Sequence, residues 1–169
     1  MQTGSSEVSY RISVRQLLLR PEETRRVSVT LDAETVQEYG LCCPELPSAE
    51  GILENRAGVL MLRYRLRAVP ELVCDRCLAP VKVPCEEEFS HVIVTETADC
   101  RQDAEYLLAP DAMLDLAEAV MTDLRLSLPT RVLCRPDCKG LCPVCGQDLN
   151  LGECSCGCDA VTVQYDDQA

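Results

Sequence analysis

The chain has 169 residues, 47% of them hydrophobic, with 28 acidic side chains against 16 basic ones, a formal net charge of −12 and 13 cysteines. That length suits one domain with at most a small appendage. The charge excludes long-range steering to nucleic acid, since so acidic a molecule is repelled by phosphate; any RNA contact must be local or carried by a basic partner protein. The deficit is uneven, net −1 over residues 1–80 and −11 over residues 81–169.

The N-terminal residues carry no basic segment followed by an apolar run, so no signal peptide is expected. No stretch approaches the length of a membrane span. The expected compartment is therefore the cytoplasm, where clustered thiols bind metal or do redox work more often than they form disulfides.

Alternation predicts a strand from Val8 to Val14, with Val8, Tyr10, Ile12 and Val14 on one face. A helical turn over Arg15–Leu19 is stopped by Pro21, and a second strand runs from Arg25 to Leu31. Leu41–Pro47, with Cys42, Cys43 and two prolines, reads as loop. A hairpin follows: Gly51–Glu54, a turn at Asn55–Gly58, and a long strand Val59–Val69 that buries Leu60, Leu62, Tyr64, Leu66 and Ala68.

After Pro70 comes Cys74-Asp-Arg-Cys77, then expected strands at Val81–Pro84 and Phe89–Thr95, and a polar connection over 96–110. The period then becomes helical, with Met113, Leu116, Ala117, Val120, Met121, Leu124 and Leu128 on one stripe. Asp115 with Glu118 reads as a capping box, Asp111 as another possible start, and Pro129 as the stop. A strand over Ala160–Tyr165 and an acidic tail close the chain. The fold class is α+β, mostly antiparallel β as a sheet or partly open barrel, with one main helix and a cysteine-rich end. The domain reading is 1–133 including the Cys74/Cys77 knuckle, a zinc-binding segment 134–159, and a tail 160–169.

The tract Cys134-Arg-Pro-Asp-Cys138-Lys-Gly-Leu-Cys142-Pro-Val-Cys145-Gly, then Cys154-Ser-Cys156-Gly-Cys158, has the two- to four-residue spacing that wraps a chain around tetrahedral zinc. Cys142, Cys145, Cys154 and Cys156 make one set of four. Cys134 and Cys138 then join Cys74 and Cys77 in another, leaving Cys158 spare. A single site of Cys138, Cys142, Cys145 and Cys154 is the competing partition. Structural zinc, two ions, is the expected cofactor. Catalytic zinc keeps an open position and recruits His or carboxylate, whereas the only histidine, His91, lies mid-strand and reads as a surface or packing residue. A redox dithiol at Cys74/Cys77 lacks the helix N-terminus that lowers a thiol pKa. Cys42, Cys43, Cys85 and Cys100 read as ordinary thiols.

Arg63, Arg65 and Arg67 share the outer face of the long strand at about 7 Å spacing. They read either as a phosphate-contacting stripe or as a solvated face whose stems cover apolar surface. Arg76 and Lys139 either offset thiolate charge or enlarge that patch. Glu86-Glu87-Glu88 reads as a solvated acidic run, or as a docking surface for a basic partner protein.

The order of these motifs carries a resemblance. Cys74-Asp-Arg-Cys77-Leu-Ala-Pro, Glu87-Glu88-Phe89, a Leu114-Asp-Leu helix ending at Leu128-Pro129, and Leu133-Cys134 through Cys145-Gly-Gln-Asp-Leu-Asn150 together resemble the YceD-like family, named for large ribosomal RNA subunit accumulation. The resemblance covers nearly the whole chain. It implies a cytoplasmic, non-enzymatic factor needed for accumulation of the large-subunit RNA and encoded in bacteria beside a large-subunit protein gene, with that RNA or a basic ribosomal protein as partner and no small-molecule substrate. Relatives often close with an Asp-Pro-Arg-type segment that this chain lacks. A zinc-stabilised adaptor in RNA metabolism or transcription, and a thiol oxidoreductase, are the alternatives.

Overall fold

A computed structural model describes residues 10–95 and 106–156. Val8, Cys100, Cys158, the expected strand Ala160–Tyr165 and the acidic tail lie outside them. The fold is α+β with mostly antiparallel sheet, and the chain divides into two compact units. Unit 1 is Met1–Glu71 with Lys82–Leu128, and unit 2 is Leu72–Val81 with Pro129–Ala169. The Cys74/Cys77 knuckle, which the sequence placed with residues 1–133, thus groups with the cysteine tract. The physical reason is that its sulfurs find their partners there.

In unit 1, β1 (Arg11–Ser13), α1 (Arg15–Leu19), β2 (Thr24–Thr30), α2 (Ala33–Glu38), β3 (Glu45–Arg56) and β4 (Val59–Val69) follow in order. The pair β5 (Glu71–Val73) and β6 (Pro80–Lys82) forms a two-stranded sheet. Then come β7 (Cys85–Val94), β8 (Tyr106–Leu108), a 3₁₀ turn at Pro110–Ala112, β9 (Met113–Asp115) and α3 (Leu116–Ser127). The main sheet has the order β2-β3-β4-β7-β8, antiparallel except for the parallel β7–β8 pair, and β1 pairs with β9.

The long strand alternates as its sequence dictates. Leu60, Leu62, Tyr64, Leu66 and Ala68 are all buried, while Arg63, Arg65 and Arg67 point to the opposite face. α3 covers that buried face with Leu116, Ala117, Val120, Met121 and Leu124, each larger side chain contributing about 1.5–3 kcal/mol by leaving water. Asp115 caps the helix, accepting hydrogen bonds from the Ala117 and Glu118 amides at 3.0 and 3.2 Å.

Several boundaries differ from expectation. Met113 lies in β9, 37% exposed, and not on the helical stripe. Asp111 sits in the 3₁₀ turn with φ 55°, so the helix starts after Asp115. The segment read as loop to Pro47 enters β3 at Glu45, and the β3–β4 register shifts between Glu45 and Ser48. Pro47 lacks the N–H a regular ladder requires, and its carbonyl instead accepts from the Leu31 amide at 2.9 Å. α2 has no counterpart in the sequence reading, although Asp32 caps it by accepting from the Thr35 amide at 2.7 Å.

Candidate metal centres and charged surfaces

Unit 2 is organised by sulfur. Its apolar cluster consists of Cys74, Cys77 and Cys138 with Ala79, Val81, Leu133 and Leu141 against them. The two Cys-x-x-Cys segments adopt one turn. In the first, the Cys74 amide donates to the Ala79 carbonyl (2.8 Å) and the Leu78 amide returns to the Cys74 carbonyl (2.9 Å). In the second, the Cys142 amide donates to the Gln147 carbonyl (2.8 Å) and the Gly146 amide to the Cys142 carbonyl (2.9 Å). The residue after the second cysteine is left-handed in both, Gly146 at φ 73° and Leu78 at φ 59°. Glycine adopts that conformation without penalty; leucine at Leu78 does so at a cost of roughly 1–2 kcal/mol.

These turns gather the eight expected sulfurs into two tetrads, Cys74/Cys77/Cys134/Cys138 and Cys142/Cys145/Cys154/Cys156, each with its sulfurs within 4.8 Å of one another. The single grouping of Cys138, Cys142, Cys145 and Cys154 does not form. In the first tetrad Cys74 and Cys138 sulfurs are 3.8 Å apart and Cys77 and Cys134 sulfurs 3.5 Å. In the second, neighbouring sulfurs are 3.2–3.5 Å apart. Four sulfurs about 2.3 Å from a central ion define edges of about 3.8 Å, so both groups fit a tetrahedral ion after little adjustment. All four ligands in each come from the chain, with no His or carboxylate among them.

Thiolate character is arranged at the first tetrad. Burial works against ionisation of Cys74, but backbone amides of Cys134, Cys77 and Arg76 outweigh it and bring the thiol down to about 6. At Cys138 burial again opposes ionisation, and the Asn150 side-chain amide (Nδ2 to Sγ, 3.4 Å) and the Gly140 amide prevail, lowering it. Cys134 is pushed up to about 12, by its hydrogen bond with Cys77 first and burial second. Hydrogen bonds thus favour the thiolate form at Cys74 and Cys138 and oppose it at Cys134, and a cation bound by four thiolates would displace the protons that remain. In the second tetrad the Val144 amide lies 3.4 Å from Cys142 Sγ. This tetrad is the more open, with Cys145 and Cys156 exposed, whereas three of the first four cysteines are buried.

The arginine stripe of unit 1 is ion-paired. Arg63 Nη2 is 2.6 Å from Glu54 Oε1, Arg67 Nε 3.0 Å from Glu86 Oε1, and Arg65 Nε 3.1 Å from Glu88 Oε1. The cross-strand register sets this, since Arg65 faces Glu88 and Arg67 faces Glu86 in the β4–β7 ladder. Two members of the acidic run thus lie beside guanidinium groups, while Glu87 on the other face accepts from Ser127 Oγ at 3.1 Å. In unit 2, Arg76 donates to the Cys138 carbonyl at 2.6 Å, and Lys139 is exposed beside it in sequence.

One cluster escaped the sequence reading. His91 is a buried packing residue, stacked on Phe89, and its Nε2 lies 2.7 Å from Asp123 Oδ2. The Tyr64 hydroxyl donates to that same oxygen. Burial first, and then the Asp123 hydrogen bond and charge, push the Tyr64 phenol far above its ordinary range. The available signal was Asp123 at seven residues from Leu116, on the edge of the apolar stripe, together with His91 in phase with Phe89 and Ile93.

Fold and site define a small α+β protein with an all-cysteine, metal-competent ribbon. The chain belongs to the YceD family: the model described as "Large ribosomal RNA subunit accumulation protein YceD" matches residues 62–166, a span containing both tetrads. It is 27% identical over 165 residues to the Zea mays protein named "Large ribosomal RNA subunit accumulation protein YCED homolog 1, chloroplastic", covering 80% of this chain and 54% of that one. It is 33% identical over 79 residues to an uncharacterized protein of Mycobacterium tuberculosis, covering 45% of this chain and 38% of the relative. The chain thus spans well under two thirds of these relatives. No solved structure gives a significant match. Among the described residues no helix is long and apolar enough to cross a membrane.

Proposed function

We propose that this chain is a cytoplasmic, non-enzymatic factor that supports accumulation or assembly of the large-subunit ribosomal RNA, acting by binding RNA or a ribosomal protein, and that two structural zinc ions hold its ribbon. The single observation that carries this reading is the family match across both sulfur tetrads. Coordination completed by four protein thiolates leaves no open position for a reacting group, which supports a structural role. A tetrahedral all-sulfur set suits zinc or iron, and zinc is the ion without redox chemistry of its own.

Elemental analysis of protein purified without added metal tests the cofactor. Two equivalents of zinc are expected, with Cys74→Ser and Cys134→Ser losing one and the same equivalent and Cys142→Ser losing the other. Iron, or one equivalent in total, refutes the assignment. Sedimentation tests the function: the protein travels with large-subunit precursors, and a profile confined to the top of the gradient overturns that role.

A further inference from the structure

We propose that the rim of the first sulfur tetrad, formed by Arg76, Arg131, Arg135 and Lys139, is an RNA-backbone-binding surface. The inference rests on the RNA branch of the functional reading above. Its first ground is where unit 2 keeps its cations. Arg76 lies between Cys74 and Cys77, Arg131 three residues before Cys134, Arg135 directly after Cys134, and Lys139 directly after Cys138; residues 141–156 contain no Lys or Arg at all. All four described cations of the unit therefore lie beside one tetrad, and the second has only Asp148 and Glu153 in its loop.

The second ground is that backbone bonds gather them. The Arg76 carbonyl accepts from the Leu141 amide at 3.1 Å, and its guanidinium binds the Cys138 carbonyl at 2.6 Å. Gly140 comes so close that a Cβ there would lie 3.0 Å from the Arg76 carbonyl. The Cys138 amide donates to the Arg135 carbonyl at 3.1 Å. The segment after Arg131 is tied to the same knuckle, with the Asp75 amide on the Val132 carbonyl (2.8 Å) and the Val132 amide on the Asp75 carboxylate (2.7 Å).

Third, close ion pairs are few at the rim among the described residues. Asp75, Asp137 and a filled four-thiolate centre balance the four cations overall, yet Asp75 is engaged by the Val132 amide and Asp137, 87% exposed, comes no nearer than 3.9 Å to Arg135. The stripe of Arg63, Arg65 and Arg67 offers the contrast, since phosphate there must displace Glu54, Glu88 and Glu86. No aromatic ring occurs among the described residues of unit 2, so the base-stacking platforms of sequence-tolerant single-strand binders are missing there. Contact is with phosphates, and it is indifferent to base sequence.

The test is fluorescence anisotropy of metal-loaded full chain against labelled oligouridine and labelled oligoadenosine RNA. Both bind alike, and Arg135→Glu with Lys139→Glu weakens both about tenfold or more while the salt slope falls by roughly 0.7 per lost contact. Unchanged metal content and unfolding midpoint in that variant separate binding from folding, because neither side chain is a sulfur ligand; Lys139→Gln alone gives a smaller loss in the same direction. Loss of binding in Arg63→Glu with Arg65→Glu but not in the rim variant overturns the proposal, as does tighter binding of an acidic peptide than of either RNA. Sedimentation keeps the two readings apart. A rim variant that no longer binds oligouridine yet still travels with precursors removes the rim from the ribosomal role. A wild-type chain that binds through the rim and never sediments with them leaves the surface standing and sinks that role.

Discussion

Asp123→Ala probes the node that joins α3 to the sheet inside unit 1. The substitution removes one carboxylate oxygen that receives both the Tyr64 hydroxyl and His91 Nε2, and those partners are only 4% and 9% exposed. Each buried polar group left without its partner costs about 1–3 kcal/mol, or about 2–6 kcal/mol for the two. Part is regained because a carboxylate no longer has to be desolvated, which leaves a net loss of about 3 kcal/mol. Against a domain stability of about 5–15 kcal/mol that is a large fraction, and it lowers the melting temperature by roughly 10 °C. Urea unfolding followed by far-UV circular dichroism reads it directly. Tyr64→Phe alone costs about 1–1.5 kcal/mol, and the double variant falls short of additivity by about 1 kcal/mol because both changes delete the same bond. A loss under about 1 kcal/mol for Asp123→Ala, or full additivity, refutes the network as described.

The raised Tyr64 phenol gives a pH signature. The unfolded chain loses that proton near pH 10 and the folded chain keeps it, so stability is level below about pH 10 and falls above it by up to about 1.4 kcal/mol per unit; Tyr64→Phe flattens the slope, and an unchanged slope argues against the burial. Gly140→Ala pays for a left-handed backbone at φ 77° and also for crowding against Arg76, whereas Gly146→Ala at φ 73° meets nothing within 4 Å. Denaturant midpoints should show about 1 kcal/mol lost at Gly146 and distinctly more at Gly140, and the reverse order contradicts the packing. Asp115→Ala removes the acceptor of two α3 amides and costs about 1 kcal/mol. Arg11→Ala, which breaks only an ion pair at a side chain 68% exposed, changes thermal stability by a few tenths of that.

Local periodicity made much of this molecule readable. Alternation from Leu60 to Ala68 gave the buried face of β4, and the stripe from Leu116 to Leu124 gave α3, because each pattern follows from how a single element meets one core. Cysteine spacing made the second tetrad legible, since its ligands span only Cys142 to Cys156. The first drew on elimination, pairing the leftover Cys134 and Cys138 with a distant knuckle. The features that escaped depend on partners remote in sequence. Nothing near Arg65 announces Glu88, which becomes its neighbour only through the β4–β7 register. His91 meets Asp123 across 32 residues, and on a helix surface an Asp ordinarily reads as solvated. The parallel strand β8 has three residues, too few for any period to register, and β9 sits where helical spacing already explained Leu116 onward.

The first tetrad joins thiols 57 residues apart, Cys77 and Cys134, whereas the outermost ligands of the second, Cys142 and Cys156, are only 14 residues apart. During synthesis Cys74 and Cys77 emerge long before Cys134 and Cys138 exist, and a metal ion arriving early meets only half a coordination shell. Bringing distant ends together costs entropy that grows with the logarithm of the intervening length. The compact centre therefore closes at the smaller entropic cost, whereas the other, when filled, fastens together two stretches of chain 57 residues apart.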